Sequence, residues 1–162
     1  MAADRTRWQP KPGVESPHLR TLLAAWRGWA REDGMPRRTR FDPFEFPPLL
    51  PLMVLAEIID QPSPTRAYDV MYRYIGSEFS TFFDAGKVTR ARLSEIGPPF
   101  DERWFAVADP VMAAASPCFF EGAPYGTAYE HVSLEMLALP LARPAGETGF
   151  ILCAFARSYP ET

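Results

Sequence analysis

Two cysteines, two histidines and ten glycines are few for 162 residues, and each scarcity excludes something. Cys118 and Cys153 both fall in apolar, strand-like runs. A disulfide framework is therefore not expected, and buried reduced thiols fit better. His18 and His131 stand far apart, and no Cys/His/Asp cluster has metal-ligand spacing. Both histidines read as structural or exposed, with no haem, metal or other cofactor expected. Gly76, Gly86 and Gly97 are lone turn glycines, which excludes a phosphate-binding loop. Ser77 and Ser133 sit in no nucleophile elbow. No stretch approaches the roughly 18 apolar residues of a membrane span. The N-terminus also lacks the apolar core of a signal peptide. The expected location is cytoplasmic, without a membrane partner.

What is present is apolar and aromatic: 47% hydrophobic and 14% aromatic residues mark a globular chain. Its length suits one domain with a self-supporting core. Eighteen prolines are scattered as punctuation and form no tract. Charge is segregated. Residues 1–40 carry nine Arg or Lys against four Asp or Glu, and the remainder eight against sixteen. A basic leader and an acidic body can attract each other or another copy. No basic patch is interleaved with aromatics, so nucleic acid is not an expected partner.

Residues 1–15, with Pro10, Pro12 and Gly13, read as a flexible tail in which Trp8 is the only large apolar group. Ser16-Pro17 has the form of a helix start, with Ser as cap and Pro at the first position. Leu19, Leu22, Leu23 and Trp26 then make an apolar stripe at helical spacing. The stripe must be buried either on the body or in a homodimer, and the dimer is the expectation. Asp42-Pro43 opens a second, short helix, which the following prolines stop. Apolar runs within 51–60 and 68–76 read as paired strands around Gln61-Pro62-Ser63-Pro64. Ser77 to Phe83 reads as one or two helical turns closed by Asp84-Ala85-Gly86. A further turn surrounds Leu93 and Ile96. A longer helix spans about 100–115, with a kink or break expected near Asp109 because Pro110 lies inside it. Three strands follow: 118–121, about 129–141, and 149–156 across a hairpin loop at 144–147.

Two strands, a helical crossover and three strands make an α+β half-barrel: five antiparallel strands in the order 2-1-5-4-3, with helices on one face and a helix at the N-terminus. This is PAS topology, and the resemblance goes further. The marks are the leader Leu22-Leu23-Ala24-Ala25-Trp26-Arg27-Gly28-Trp29, Pro36-Arg37-Arg38 before Phe41-Asp42-Pro43, Tyr72-Arg73-Tyr74-Ile75-Gly76-Ser77-Glu78-Phe79, and Leu139-Pro140-Leu141. In this ordered set the chain resembles a helix-led family of bacterial PAS proteins over roughly residues 16–157. The division is then a tail at 1–15, a helix and linker at 16–40, and a PAS-like domain at 41–158.

That resemblance implies a small-molecule cavity on the helical side of the sheet. Phe79, Phe83, Trp104 and Met112 are its candidate walls, with Tyr72 or Arg73 as polar groups. Arg73 also reads as a surface cross-strand ion pair. Glu130 and Glu135 point to opposite faces of one strand, so they form no obvious acid–base pair, and one can face the cavity. Cys118 lacks the Asn-Cys-Arg-Phe-type context of flavin sensors. The implied function is a stand-alone sensory or signalling domain that binds a small, largely apolar ligand or a signalling partner protein, without catalysis. With no room for an attached effector, its output would pass through a partner or self-association. Two alternatives remain: a ligand-free interaction module with a filled core, and a small α+β enzyme with a cone-shaped pocket.

Overall fold

The computed structural model describes residues 7–60, 65–83, 90–124 and 132–158. The elements are β1 (Gln9–Pro10), α1 (Pro17–Asp33), three 3₁₀ turns between residues 38 and 52, β2 (Met53–Ile59), β3 (Asp69–Ile75), α2 (Ser77–Phe83), α3 (Leu93–Ile96), α4 (Phe100–Ala114), β4 (Cys118–Gly122), β5 (Ser133–Ala142) and β6 (Thr148–Ser158). All strand pairs are antiparallel, in the order β1-β4-β5-β6-β2-β3. Five of them have the order expected from the sequence, and β1 adds a sixth at the β4 edge. The expected 61–64 connection, the helix closure at 84–86, the strand start at 129–131 and His131 lie outside the described residues.

The sheet is buried on both faces, and side-chain alternation assigns each residue to one of them. Leu134, Met136, Ala138, Ile151, Cys153 and Phe155 face α2, α3 and α4. Leu137, Leu139, Leu141, Leu152 and Ala154 face the other way, onto α1. This explains why β5 and β6 are almost continuously apolar. It also settles where the stripe of α1 goes. Leu19, Leu22, Leu23 and Trp26 are at most 8% exposed, buried on the chain's own sheet. They are therefore not available as the dimer contact expected of them. The Trp26 indole donates to the Pro140 carbonyl at 2.9 Å. Pro140 is tolerated in β5 because β4 has already ended at the Cys118–Ala138 pair, leaving that edge without a ladder to break.

Three further expectations change. Residues 7–16 are held against the body as a strap: Gln9 and Pro10 pair with Glu121 and Phe120, and Trp8 is 6% exposed. A tryptophan ring placed on an apolar core outweighs the weak local structure of its neighbours. Ser16 occupies the cap position of α1 but makes no side-chain cap bond. Glu135 on β5 instead accepts from the backbone N–H groups of Glu15 and Ser16, both at 2.9 Å. Helix α4 runs from Phe100 to Ala114 without a break at Pro110. Asp42 does accept from the Phe44 N–H at 2.9 Å, as its position before Pro43 predicts.

Candidate functional site

The helical side of the sheet holds a dense aromatic cluster. Alternation along β3 turns Tyr72 inward, where it is 2% exposed, while Arg73 points out. Helix α2 supplies Phe79 and Phe83, four residues apart and so on one face, with centroids 5.0 Å apart. From α4, Trp104 lies 5.3 Å from each of them. Phe155 of β6 closes the cluster 5.5 Å from Phe79. The ring that completes it is Trp8, centred 5.7 Å from Trp104 and 5.9 Å from Phe83.

Four of the six expected wall residues thus meet: Tyr72, Phe79, Phe83 and Trp104. Met112 packs at the margin, half-buried. Arg73 is not a cavity group. Its guanidinium is ion-paired on the surface with Glu57 of β2, the cross-strand alternative that the sequence offered. The rings leave a cavity of about 20 Å³ between Tyr72, Trp104, Val107, Ile151 and Cys153, room for about one water.

Polar chemistry in this core is sparse. Burial, and to a lesser extent neighbouring Cys118, pushes the Cys153 thiol up to about 12, and burial also raises Cys118. Both shifts favour the protonated thiol over the nucleophilic thiolate. The indole N–H groups of Trp8 and Trp104 are buried without an acceptor. The buried carboxylates are used structurally. Asp69 accepts from the Val70 N–H at 2.9 Å and from the Ser94 N–H at 3.2 Å, tying β3 to α3.

Glu135, 1% exposed, lies on the α1 side of the sheet, and Glu130 is outside the described residues. Besides the two backbone donors, the Lys11 ammonium reaches Glu135 at 2.9 Å. Burial pulls its pKa upward. The Lys11 hydrogen bond, the Ser16 and Glu15 N–H groups and the Lys11 charge together outweigh burial and hold the carboxyl below its ordinary value. Sequence reasoning missed this clasp, although a carboxylate between Leu134 and Met136 was its signal. Among the described residues no His/Cys/Asp/Glu group could hold a metal ion, and no helix is long and apolar enough to cross a membrane.

No curated protein matches the chain. Among solved structures, one titled as an RNA-binding light-oxygen-voltage receptor is similar, with 13% identity and a TM-score of 0.45. The match covers 96% of this chain and 40% of that one, so the chain spans about two-fifths of the receptor's length. The PAS-domain family profile matches residues 14–156. These run from the strap before α1 through the last core residues of β6, so that the chain belongs to the PAS domain family.

Proposed function

We propose that this PAS domain is a signalling module that relays through protein contacts and carries out no catalysis. The supporting observation is the filled core. Among the described residues, the cavity of about 20 Å³ left beside Tyr72 and Trp104 does not admit even a small organic molecule. A relay of this kind works by linkage: a partner that prefers one arrangement of the strap, α1 and sheet shifts the population toward it. Reduced Cys118 and Cys153 suit the bacterial cytoplasm. Self-association would have to use a surface other than the buried stripe of α1.

Native mass spectrometry of the full chain purified from its own host tests this reading, paired with in-cell cross-linking. The expected result is a chain that leaves without a small-molecule adduct and cross-links reproducibly to a protein. A stoichiometric adduct of a small molecule would overturn it in favour of the ligand sensor.

A further inference from the structure

Residues 7–16 form a strap over the β4 edge, and of its side chains Trp8 and Val14 are the buried ones. Beside the Arg20 Nε–H bond to the Val14 carbonyl at 2.9 Å, three kinds of contact tie it to the sheet and the aromatic cluster. Gln9 and Pro10 pair with β4, and the Lys11 N–H donates to the Phe119 carbonyl at 3.0 Å. Pro10 and Pro12 bring no N–H, so this ladder is thin. The Trp8 ring enters the aromatic cluster over Gly122, where a Cβ would stand 2.9 Å from its Cε3. That glycine is the space the ring requires. Three residues after Trp8, Lys11 meets Glu135.

All three contacts address parts of the body that exist without the strap: the β4 edge, the ring cluster and a carboxylate on β5. This is how an extended peptide adds to a sheet edge, with backbone pairing for affinity and side-chain pockets for specificity. The seat recognises Trp8 by shape alone, since its buried indole N–H has no acceptor. Release of the strap would return that N–H to water. Beside Trp8 a surface groove of about 430 Å³, lined by Arg7, Gln9, Pro99, Glu102, Arg103 and Ala106, continues toward α4. It leaves space for residues preceding the ring.

We propose that this edge is a docking site for a partner's extended segment bearing a bulky aromatic residue and, three positions later, a Lys or Arg. Residues 7–16 occupy it in cis until such a segment displaces them. The site rests on the relay reading above and names the chemistry of the partner. Tethering gives the strap an effective concentration of about millimolar, so a competitor binds the intact chain more weakly than a chain whose strap is loosened.

The probe is a fluorescein-labelled peptide of residues 7–16, Arg-Trp-Gln-Pro-Lys-Pro-Gly-Val-Glu-Ser, titrated by anisotropy into the full chain carrying Trp8→Ala. It should bind this chain at least roughly tenfold more tightly than the unmodified chain. The same peptide with Trp8→Ala or Lys11→Glu should lose roughly tenfold. Lys11→Glu in the full chain is the second host, because it loosens the strap while the core ring stays in place. Its affinity should lie between those of the other two. Equal binding of the substituted peptides overturns the proposal. So does failure of the Trp8→Ala chain to bind, or, where that chain does not fold, a Lys11→Glu chain that binds no better than the unmodified one. Any of these results leaves the cross-linking outcome for a relay partner untouched.

Discussion

Replacing Glu135 by Ala removes the acceptor for three donors at once: the Lys11 ammonium and the backbone N–H groups of Glu15 and Ser16. Removing one partner of a buried pair costs about 3–5 kcal/mol. Here the lower end applies. The Lys11 side chain is 16% exposed and can swing to water, and Glu15 lies at the surface. There is also a ceiling, because the variant can release the strap locally instead of unfolding globally. The expected loss is therefore about 3 kcal/mol, and for a domain of this size about 6–12 °C in melting temperature. Hydrogen exchange should show the Lys11, Glu15 and Ser16 amides losing protection before the β5 and β6 amides do. Acid supplies an independent check. The carboxyl is held below its ordinary value of 4.5 in the folded chain. Its contribution is thus complete above that value and is lost as pH falls through the lowered folded pKa. Glu135→Gln keeps the shape without the charge, so below about pH 4.5 its stability should fall less steeply than that of the unmodified chain. A Glu135→Ala melt unchanged within about 2 °C, or identical acid slopes for Glu135→Gln and the unmodified chain, would refute the clasp.

Phe83→Ala removes a ring that is 2% exposed and touches both Phe79 and Trp104, so urea unfolding should show a loss of about 3–5 kcal/mol. Arg73→Ala breaks an exposed ion pair and should cost less than about 1 kcal/mol in the same assay; a large effect would show that Arg73 has an inward role. Leu22→Ala, in a fully buried position under the sheet, should cost about 2–5 kcal/mol. Sedimentation velocity should at the same time show no change in assembly, whereas dissociation of an oligomer would return the α1 stripe to an interface between copies.

Apart from β1, the order of elements was legible because each carries its own local signal. Alternation and turn residues mark the strands, and Asp42-Pro43 and Ser16-Pro17 mark the helical starts. What α1 rests on was harder to read. A stripe reports that a helix is buried, not against what. The better clue was in β5, where Leu137, Leu139 and Leu141 alternate with Met136, Ala138 and Pro140. A strand apolar on both faces needs a covering layer on each side, and α1 was the only long helix left to provide the second. Tyr72, Phe79, Phe83 and Trp104 could be placed on one side of the half-barrel, but whether they line a void or fill it depends on side-chain volumes across four elements. Trp8 was invisible to pattern reading. It stands alone among polar residues and prolines, and a two-residue strand is too short to have a period. Arg73 failed as a cavity group for a simpler reason: with Tyr72 turned inward, its neighbour in an extended strand must point outward.

Because Trp26 bonds to Pro140 and Lys11 to Glu135, a segment made early docks on strands made more than a hundred residues later. The separations are 114 and 124 residues. At ribosomal speeds of about 5–20 residues per second, α1 waits roughly 6–23 s for its sheet. During that interval Leu19, Leu22, Leu23 and Trp26 form an amphipathic ridge with nothing to cover it, beside a nascent chain that has yet to make β5 and β6. The helix that secures the finished domain is thus an aggregation hazard during synthesis. A holdase that shields this ridge until β6 emerges should raise the yield of folded protein.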